Sequence, residues 1–233
     1  LDSVAPPQIP IGPVGQNSAR AFEHLLIECE QDDDCSQAYG ELRTTFARLT
    51  AGLNKQPLHV DIRHPTDGTT TPFALNFASL VNSLRAMLYS PVSRRMIPLV
   101  ISETAKGNYY PLVGVTAQNI EASKQIYMGL TLNVVCNEDF PRIAAKDFDS
   151  DADNPFGADA SHKLWRLVCH VWPKYPVSTE FSEPVVSGLP VLLISGSMDP
   201  VTPPENAQAA LDYLSNARHV VLPGGAHTPT FHS

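Results

Sequence analysis

The chain has 233 residues, 43% apolar and 17% charged, enough to bury the core of one large domain or two small ones. Lysine and arginine number 16 against 24 acidic residues, a formal net charge of −8, which argues against a nucleic-acid binder that must grip phosphates. No apolar run approaches the ~18 residues of a membrane span, so no membrane span is expected.

Collagen-like, coiled-coil and disordered compositions are also excluded, and 21 prolines, roughly twice the usual share, mark a globular chain rich in turns. Leu1 follows no initiator Met and begins no charged and then apolar leader, so the sequence reads as cut at its N-terminus. It stops at Thr230, Phe231, His232 and Ser233, just past a Gly-rich turn, and is expected to be a segment of a longer product. Residues 1–16 carry Pro6, Pro7, Pro10 and Pro13 with Gly12 and Gly15, which excludes a regular element.

From Asn17 onward, Ala21, Phe22, Leu25, Leu26 and Cys29 recur at helical spacing, with Asn17 or Ser18 as the expected cap. A second helix is predicted over 36–51, with Tyr39, Leu42, Phe46 and Leu49 on one face. Residues 58–63 alternate like a strand, and Thr66, Asp67 and Gly68 read as a turn. Helices follow over 73–88 and 91–104, divided at Ser90 and Pro91, and over 116–127, opened by Thr116. Asp147 to Asp153 form an acidic stretch without the Gly and final Glu of a calcium loop, so a solvated loop is expected. Helices therefore dominate from about 17 to 130 with no strand–helix alternation, the mark of an inserted helical layer.

The pattern changes after 185. Residues 190–195 form a continuous apolar run bounded by turn residues, as in a strand buried on both faces. An amphipathic helix is predicted over 203–214, with Ala207, Ala210, Leu211 and Leu214 inward, and a short strand over 218–222. Strand, helix and strand with short connections make a βαβ unit of parallel sheet. The tail is α/β.

Four cysteines fit two disulfides, but three pairings are open and sequence alone cannot choose among them. Pairing Cys29 with Cys35 closes the shortest loop and leaves Cys136 with Cys169; the alternative is four buried thiols in a reducing compartment. The disulfide reading implies an oxidising compartment. No Cys-x-x-Cys occurs, and the pairs His59/His64 and His227/His232 lack the i, i+4 spacing of a helical zinc site, so neither metal nor cofactor is expected.

Two loops carry candidate chemistry. Asp199 follows the first buried strand, where open α/β sheets place their ligands, and His227 follows the second, after Gly224, Gly225 and Ala226. After Asp199, Thr202 is read as a helix cap, with Pro203 in the first helical position and Glu205 completing a capping box. Each residue alone is an ordinary turn residue. Neighbouring parallel strands lie ~5 Å apart, so Asp199 and His227 are expected to meet at one sheet edge. There a carboxylate can accept the imidazole Nδ1–H and fix its tautomer, as in a hydrolytic triad.

The run Val191-Leu192-Leu193-Ile194-Ser195-Gly196-Ser197-Met198-Asp199-Pro200-Val201-Thr202-Pro203-Pro204, with His219-Val220-Val221-Leu222-Pro223-Gly224-Gly225-Ala226-His227, resembles the closing segment of α/β-hydrolases. More narrowly, it resembles the tripeptidyl-aminopeptidase-like and prolyl-aminopeptidase-like serine exopeptidases. Leu1-Asp2-Ser3-Val4-Ala5-Pro6-Pro7, Cys29 and Cys35, the run from Gly129 to Asp139, and Cys169-His170-Val171-Trp172-Pro173 also match features of that group.

The resemblance implies an incomplete α/β-hydrolase fold. Residues 1–16 would be the end of a core strand and an entry loop, 17–185 a helical cap and return segment, and 186–233 the last parallel strands of the core. It also implies Asp199 as the acid and His227 as the base of a Ser-His-Asp triad. The family's Gly-x-Ser-x-Gly elbow occurs nowhere in the chain, so the nucleophile is expected in a missing N-terminal half of the same protein, without which this chain would be inactive and prone to aggregate.

Exopeptidases of this group bind the free amino terminus of a small peptide substrate, and Glu138 with Asp139 are the candidate carboxylates; a solvated turn before Pro141 is the alternative. The implied activity is release of short peptides from substrate N-termini by a secreted or periplasmic enzyme. A carboxylesterase acting on an ester, and a non-catalytic binding module lacking the nucleophile, remain the competing readings.

Overall fold

The structure is a computed structural model that describes residues 1–11, 14–64, 67–152, 154–157 and 161–231. Gly12, Pro13, Thr66, Asp153, His232 and Ser233, named above, lie outside the described residues. The chain divides into two compact units: Phe22–Met87 with Val92–Ile126, and Leu1–Ala21 with Leu88–Pro91 and Tyr127–Ser233. This division differs from boundaries after 16 and 185. Residues 127–185 group with the C-terminal strands because their side chains hold the opening segment. Arg142 Nη1 donates to Pro7 O at 2.7 Å, and Asp139 Oδ1 accepts from Ile11 N at 3.1 Å.

The first unit is mainly helical. Helix α1 (Val14–Gln31) contributes its later turns, followed by α2 (Asp33–Tyr39) and α3 (Leu42–Lys55). The single helix expected over 36–51 is two, because Gly40 sits at φ 61° and ψ −142°, a conformation closed to residues with a Cβ. Asp32 Oδ1 caps α2 by accepting from Cys35 N at 2.7 Å, and a Cys29–Cys35 disulfide ties α1 to α2. The Phe22 and Phe46 rings pack 4.7 Å apart between α1 and α3.

Strand β1 (Leu58–Arg63) pairs antiparallel with β2 (Thr70–Leu75), Leu58 opposite Leu75. β2 occupies the start of the helix expected over 73–88. Thr70, Thr71 and Pro72 favour extended backbone, and pairing with β1 overrides the helical spacing that begins at Phe73. Helix α4 (Phe77–Met87) follows, then α5 (Pro91–Arg94), α6 (Ile97–Ala105) and α7 (Tyr110–Ser123).

α7 starts well before Thr116, with Pro111 in its first turn, where a missing amide hydrogen costs nothing. Thr116 lies inside the helix: its hydroxyl donates to Leu112 O at 2.8 Å and accepts from Ser83 Oγ at 2.9 Å, a buried polar link between α4 and α7. Leu80, Leu84, Ile101 and Leu112 are fully buried in this unit.

In the second unit, α8 (Met128–Val134) runs into a π-helical turn at Val135–Asp139 and a 3₁₀ turn at Phe140–Arg142. The expected acidic loop is part of helix α9 (Ala145–Ala152), anchored by buried Phe148 against the Phe140 ring at 5.3 Å. A Cys136–Cys169 disulfide joins the π-helical turn to α10 (Ser161–Val171).

Strands β3 (Val191–Gly196) and β4 (Ala217–Leu222) are parallel, in register from Val191 opposite Ala217 to Gly196 opposite Leu222, with α11 (Pro204–Leu211) between them in sequence. On the other side of β3 the opening segment forms a parallel bridge at Asp2: Ile194 N donates to Leu1 O, and Ser3 N to Ile194 O. Val4, Leu193, Ala207 and Ala210 form the buried core beneath α11. The architecture is mixed α/β. Among the described residues, no helix is long and apolar enough to cross a membrane.

Gly40→Ala is expected to destabilise the helical unit by about 1–3 kcal/mol, because alanine cannot hold that backbone without strain. Gly52→Ala, on an exposed helical turn with nothing within 4 Å of the added Cβ, is expected to stabilise it by about 0.5–1 kcal/mol. Urea denaturation of the two variants checks both signs.

Candidate active site

The loops that leave β3 and β4 touch backbone to backbone. A Cβ on Gly196 would collide with the carbonyl oxygens of Gly225 and Ala226, so only glycine permits the approach. Met198 N donates to Gly225 O at 2.8 Å, Ser197 N to Leu222 O at 3.1 Å, and Gly224 N to Ser197 Oγ at 2.9 Å. These bonds bring Asp199 and His227 together: Nδ1 of the imidazole lies 3.0 Å from Asp199 Oδ2 and 3.2 Å from Oδ1.

Asp199 is fully buried, yet its carboxylate is well supplied with donors. Oδ1 accepts from Val201 N and Thr202 N, both at 2.8 Å, and Oδ2 from Thr202 Oγ at 2.8 Å and Ser3 Oγ at 3.0 Å. Burial alone would raise the carboxyl pKa. The hydrogen bond from His227, with those from the Thr202 and Val201 amides, more than offsets that and holds it below the ordinary value of 3.8.

An ionised carboxylate only accepts, so the Nδ1 that faces it carries the hydrogen. Thr202 Oγ, 3.3 Å from Nδ1, directs its own hydrogen at Oδ2. In the neutral imidazole the lone pair is then on Nε2, which makes no hydrogen bond among the described residues. A quarter of the His227 side chain is exposed, and the Tyr89 and His227 ring centres lie 5.3 Å apart in a T-shaped contact. A neutral imidazole oriented this way can take a proton from a hydroxyl at Nε2.

The first turns of α1 hold the acid loop from outside. Asn17 Nδ2 donates to Val201 O at 3.0 Å, Ser18 Oγ to Pro200 O at 3.3 Å, and Arg20 Nη2 to Asp199 O at 3.2 Å. Asn17 and Ser18 are therefore not helix caps, because the helix already runs from Val14. The capping box from Thr202 to Glu205 does not form either. Pro203 is the cap residue, and the Thr202 hydroxyl goes to the buried carboxylate, a stronger acceptor than a backbone group.

The other candidate residues sit apart from this pair. Asp139 is buried, with Oδ1 shared between Ile11 N at 3.1 Å and Arg142 Nη2 at 3.2 Å, while Glu138 on the same turn is partly exposed. Neither hydrogen-bonds Asp199 or His227. Cys29, Cys35, Cys136 and Cys169 are paired as expected from the shortest loop closure. A second Ser–His contact exists, Ser195 Oγ to His219 Nε2 at 3.0 Å, but Ser195 is fully buried within the sheet and closed to substrate.

A cleft of about 510 Å³ in the helical unit is lined by residues such as Arg48, Leu53 and Tyr109, with no histidine or carboxylate, and so offers no base. Ser3, Arg20, Tyr89 and the Thr202 hydroxyl were not foreseen around the site. Only their contacts across the fold reveal them; no local spacing ties them to Asp199.

Gly196→Ala is expected to part the two loops and lower stability by about 1–3 kcal/mol, with loss of the downfield Nδ1–H signal of His227 in proton NMR. Asp199, with its pKa lowered in the folded state, adds stability that is present above 3.8 and lost as pH falls through the lower folded value. Asp199→Asn should therefore flatten the loss of stability as pH falls below 3.8, measured by urea midpoints.

Among curated proteins, none matches the chain. Residues 153–233, which include Asp199 and His227, match the family model described as TAP-like protein, so this C-terminal portion of the chain is similar to that of the TAP-like α/β-hydrolases and points to a hydrolase.

Proposed function

We propose that the protein is a serine hydrolase in which His227 is the general base and Asp199 its orienting acid. The observation that carries this reading is the Nδ1–Oδ2 contact of 3.0 Å between an exposed-edge imidazole and a buried, ionised carboxylate. In this mechanism a serine hydroxyl attacks the substrate carbonyl as Nε2 takes its proton. Asp199 stabilises the imidazolium that results, and His227 then returns the proton to the leaving group. No Gly-x-Ser-x-Gly occurs in residues 1–233, so the reading assigns the attacking serine to chain outside them.

Within the hydrolases, we infer an exopeptidase acting on short peptides with a free amino terminus. Asp139 is already engaged by Arg142 and the Ile11 amide, so Glu138 is the carboxylate this reading assigns to the substrate ammonium. The two disulfides support placement in an oxidising, extracytoplasmic compartment.

The test uses the full-length protein with a fluorophosphonate probe and paired p-nitroanilide peptides, one unblocked and one N-acetylated. His227→Ala is expected to abolish labelling and turnover, and Asp199→Asn to lower kcat by about 10⁴-fold. Full activity in His227→Ala would reject the hydrolase reading. Equal cleavage of the blocked and unblocked peptides, or cleavage of p-nitrophenyl esters alone, would reject the exopeptidase.

A further inference from the structure

Among the described residues, two non-glycine positions have positive φ, Ser3 at 56° and Thr228 at 49°, and one hydrogen bond joins them. Thr228 is β-branched, which makes its conformation the more costly of the two. Strain of this kind persists only where the surroundings enforce it, and it gathers at functional sites.

Here the enforcing contacts are on the page. Thr228 N donates to Ser3 Oγ at 2.7 Å, and Ser3 Oγ donates in turn to Asp199 Oδ2 at 3.0 Å. One residue earlier, Asp2 Oδ2 accepts from the amide and the hydroxyl of Thr230. The backbone on either side of Asp2 is pinned to Ile194 of β3, the Ser3 amide donating to Ile194 O. A single hydroxyl thus touches both halves of the pair, the acid directly and the base through the amide that follows it.

We propose that Ser3 is a positioning residue for the reaction of this site, its hydroxyl fixing the Asp199 carboxylate and the loop behind His227 in one geometry. The inference rests on the proposed roles of Asp199 and His227. Thr202 supplies the other side-chain hydroxyl on Oδ2, but it lies on the same loop as Asp199 and moves with it. Ser3 comes from a segment 196 residues away in sequence and locks that loop to the base loop. The hydroxyl also draws charge from the carboxylate. Without it, more negative charge faces Nδ1, the imidazolium is held more tightly, and the base is freed only at higher pH. The other titratable groups around the pair are Arg20, whose guanidinium bonds Asp199 O, Tyr89 at the imidazole, and Asp2 at Thr230.

Ser3→Gly removes the hydroxyl and relieves the backbone strain, whereas Ser3→Ala removes the hydroxyl and keeps the strain. Both are compared with His227→Ala in the full-length protein, by hydrolysis of p-nitrophenyl acetate across pH. Both Ser3 variants are expected to lower kcat about tenfold with KM nearly unchanged, and to move the acid limb of kcat/KM upward by roughly half a pH unit or more. Ser3→Thr, which restores a hydroxyl, is expected to bring the acid limb back toward its original position. An inactive His227→Ala beside a Ser3→Gly variant with unaltered kcat and acid limb overturns the role of Ser3 alone. A loss of thermal stability in Ser3→Ala with no movement of the acid limb overturns it too. An active His227→Ala overturns the reading of the site on which the inference rests.

Discussion

The buried carboxylate of Asp199 is the constraint around which the second unit is arranged. A charge with no exposed surface is tolerable only when hydrogen bonds replace its lost water, and here they come from three separate stretches of chain. Its own loop gives the Val201 and Thr202 amides and the Thr202 hydroxyl, the opening segment gives Ser3, and the β4 loop gives His227. Helix α1 then secures the backbone of that loop through Asn17, Ser18 and Arg20. Satisfying one anion therefore fixes the relative positions of the chain's opening residues, α1 and the two strand ends.

The same arrangement orients the imidazole of His227. A carboxylate committed to accepting hydrogen bonds leaves the imidazole one tautomer, with its lone pair at Nε2. That result needs no metal ligand and no unusual burial of the histidine; it needs the two loops at contact distance. Gly196 supplies that closeness, because the backbone of Gly225 and Ala226 occupies the space a side chain would fill. Proximity here is a backbone property, and the side-chain chemistry follows from it.

In the helical unit the departures from simple periodicity have two causes, one local and one tertiary. Gly40 divides a continuous apolar stripe because its backbone turns into a region that other residues avoid. β2 extends through Phe73 and Leu75 because β1 offers a row of hydrogen bonds that an isolated helical turn lacks. Thr116, a plausible cap by residue type, lies within α7 once Ser83 on α4 gives its hydroxyl a buried partner. At β2 and Thr116 a contact made with a distant residue outweighs a local preference of less than about 1 kcal/mol, whereas at Gly40 the break is local.

The βαβ pattern of the tail and the placement of Asp199 and His227 just past its two strands were legible in the residues alone, whereas the choice among three cysteine pairings waited for the fold. The legible part follows from local quantities: an apolar run with turn residues at its ends and a parallel-strand spacing. The fold alone shows that Asn17, Ser18 and Thr202 bond the Asp199 loop rather than helix ends, that residues 127–185 group with the strands, and that Ser3 Oγ bonds both Asp199 and the Thr228 amide. Hydroxyls and amides are interchangeable as donors along a sequence, and a buried charge selects among them by distance in space.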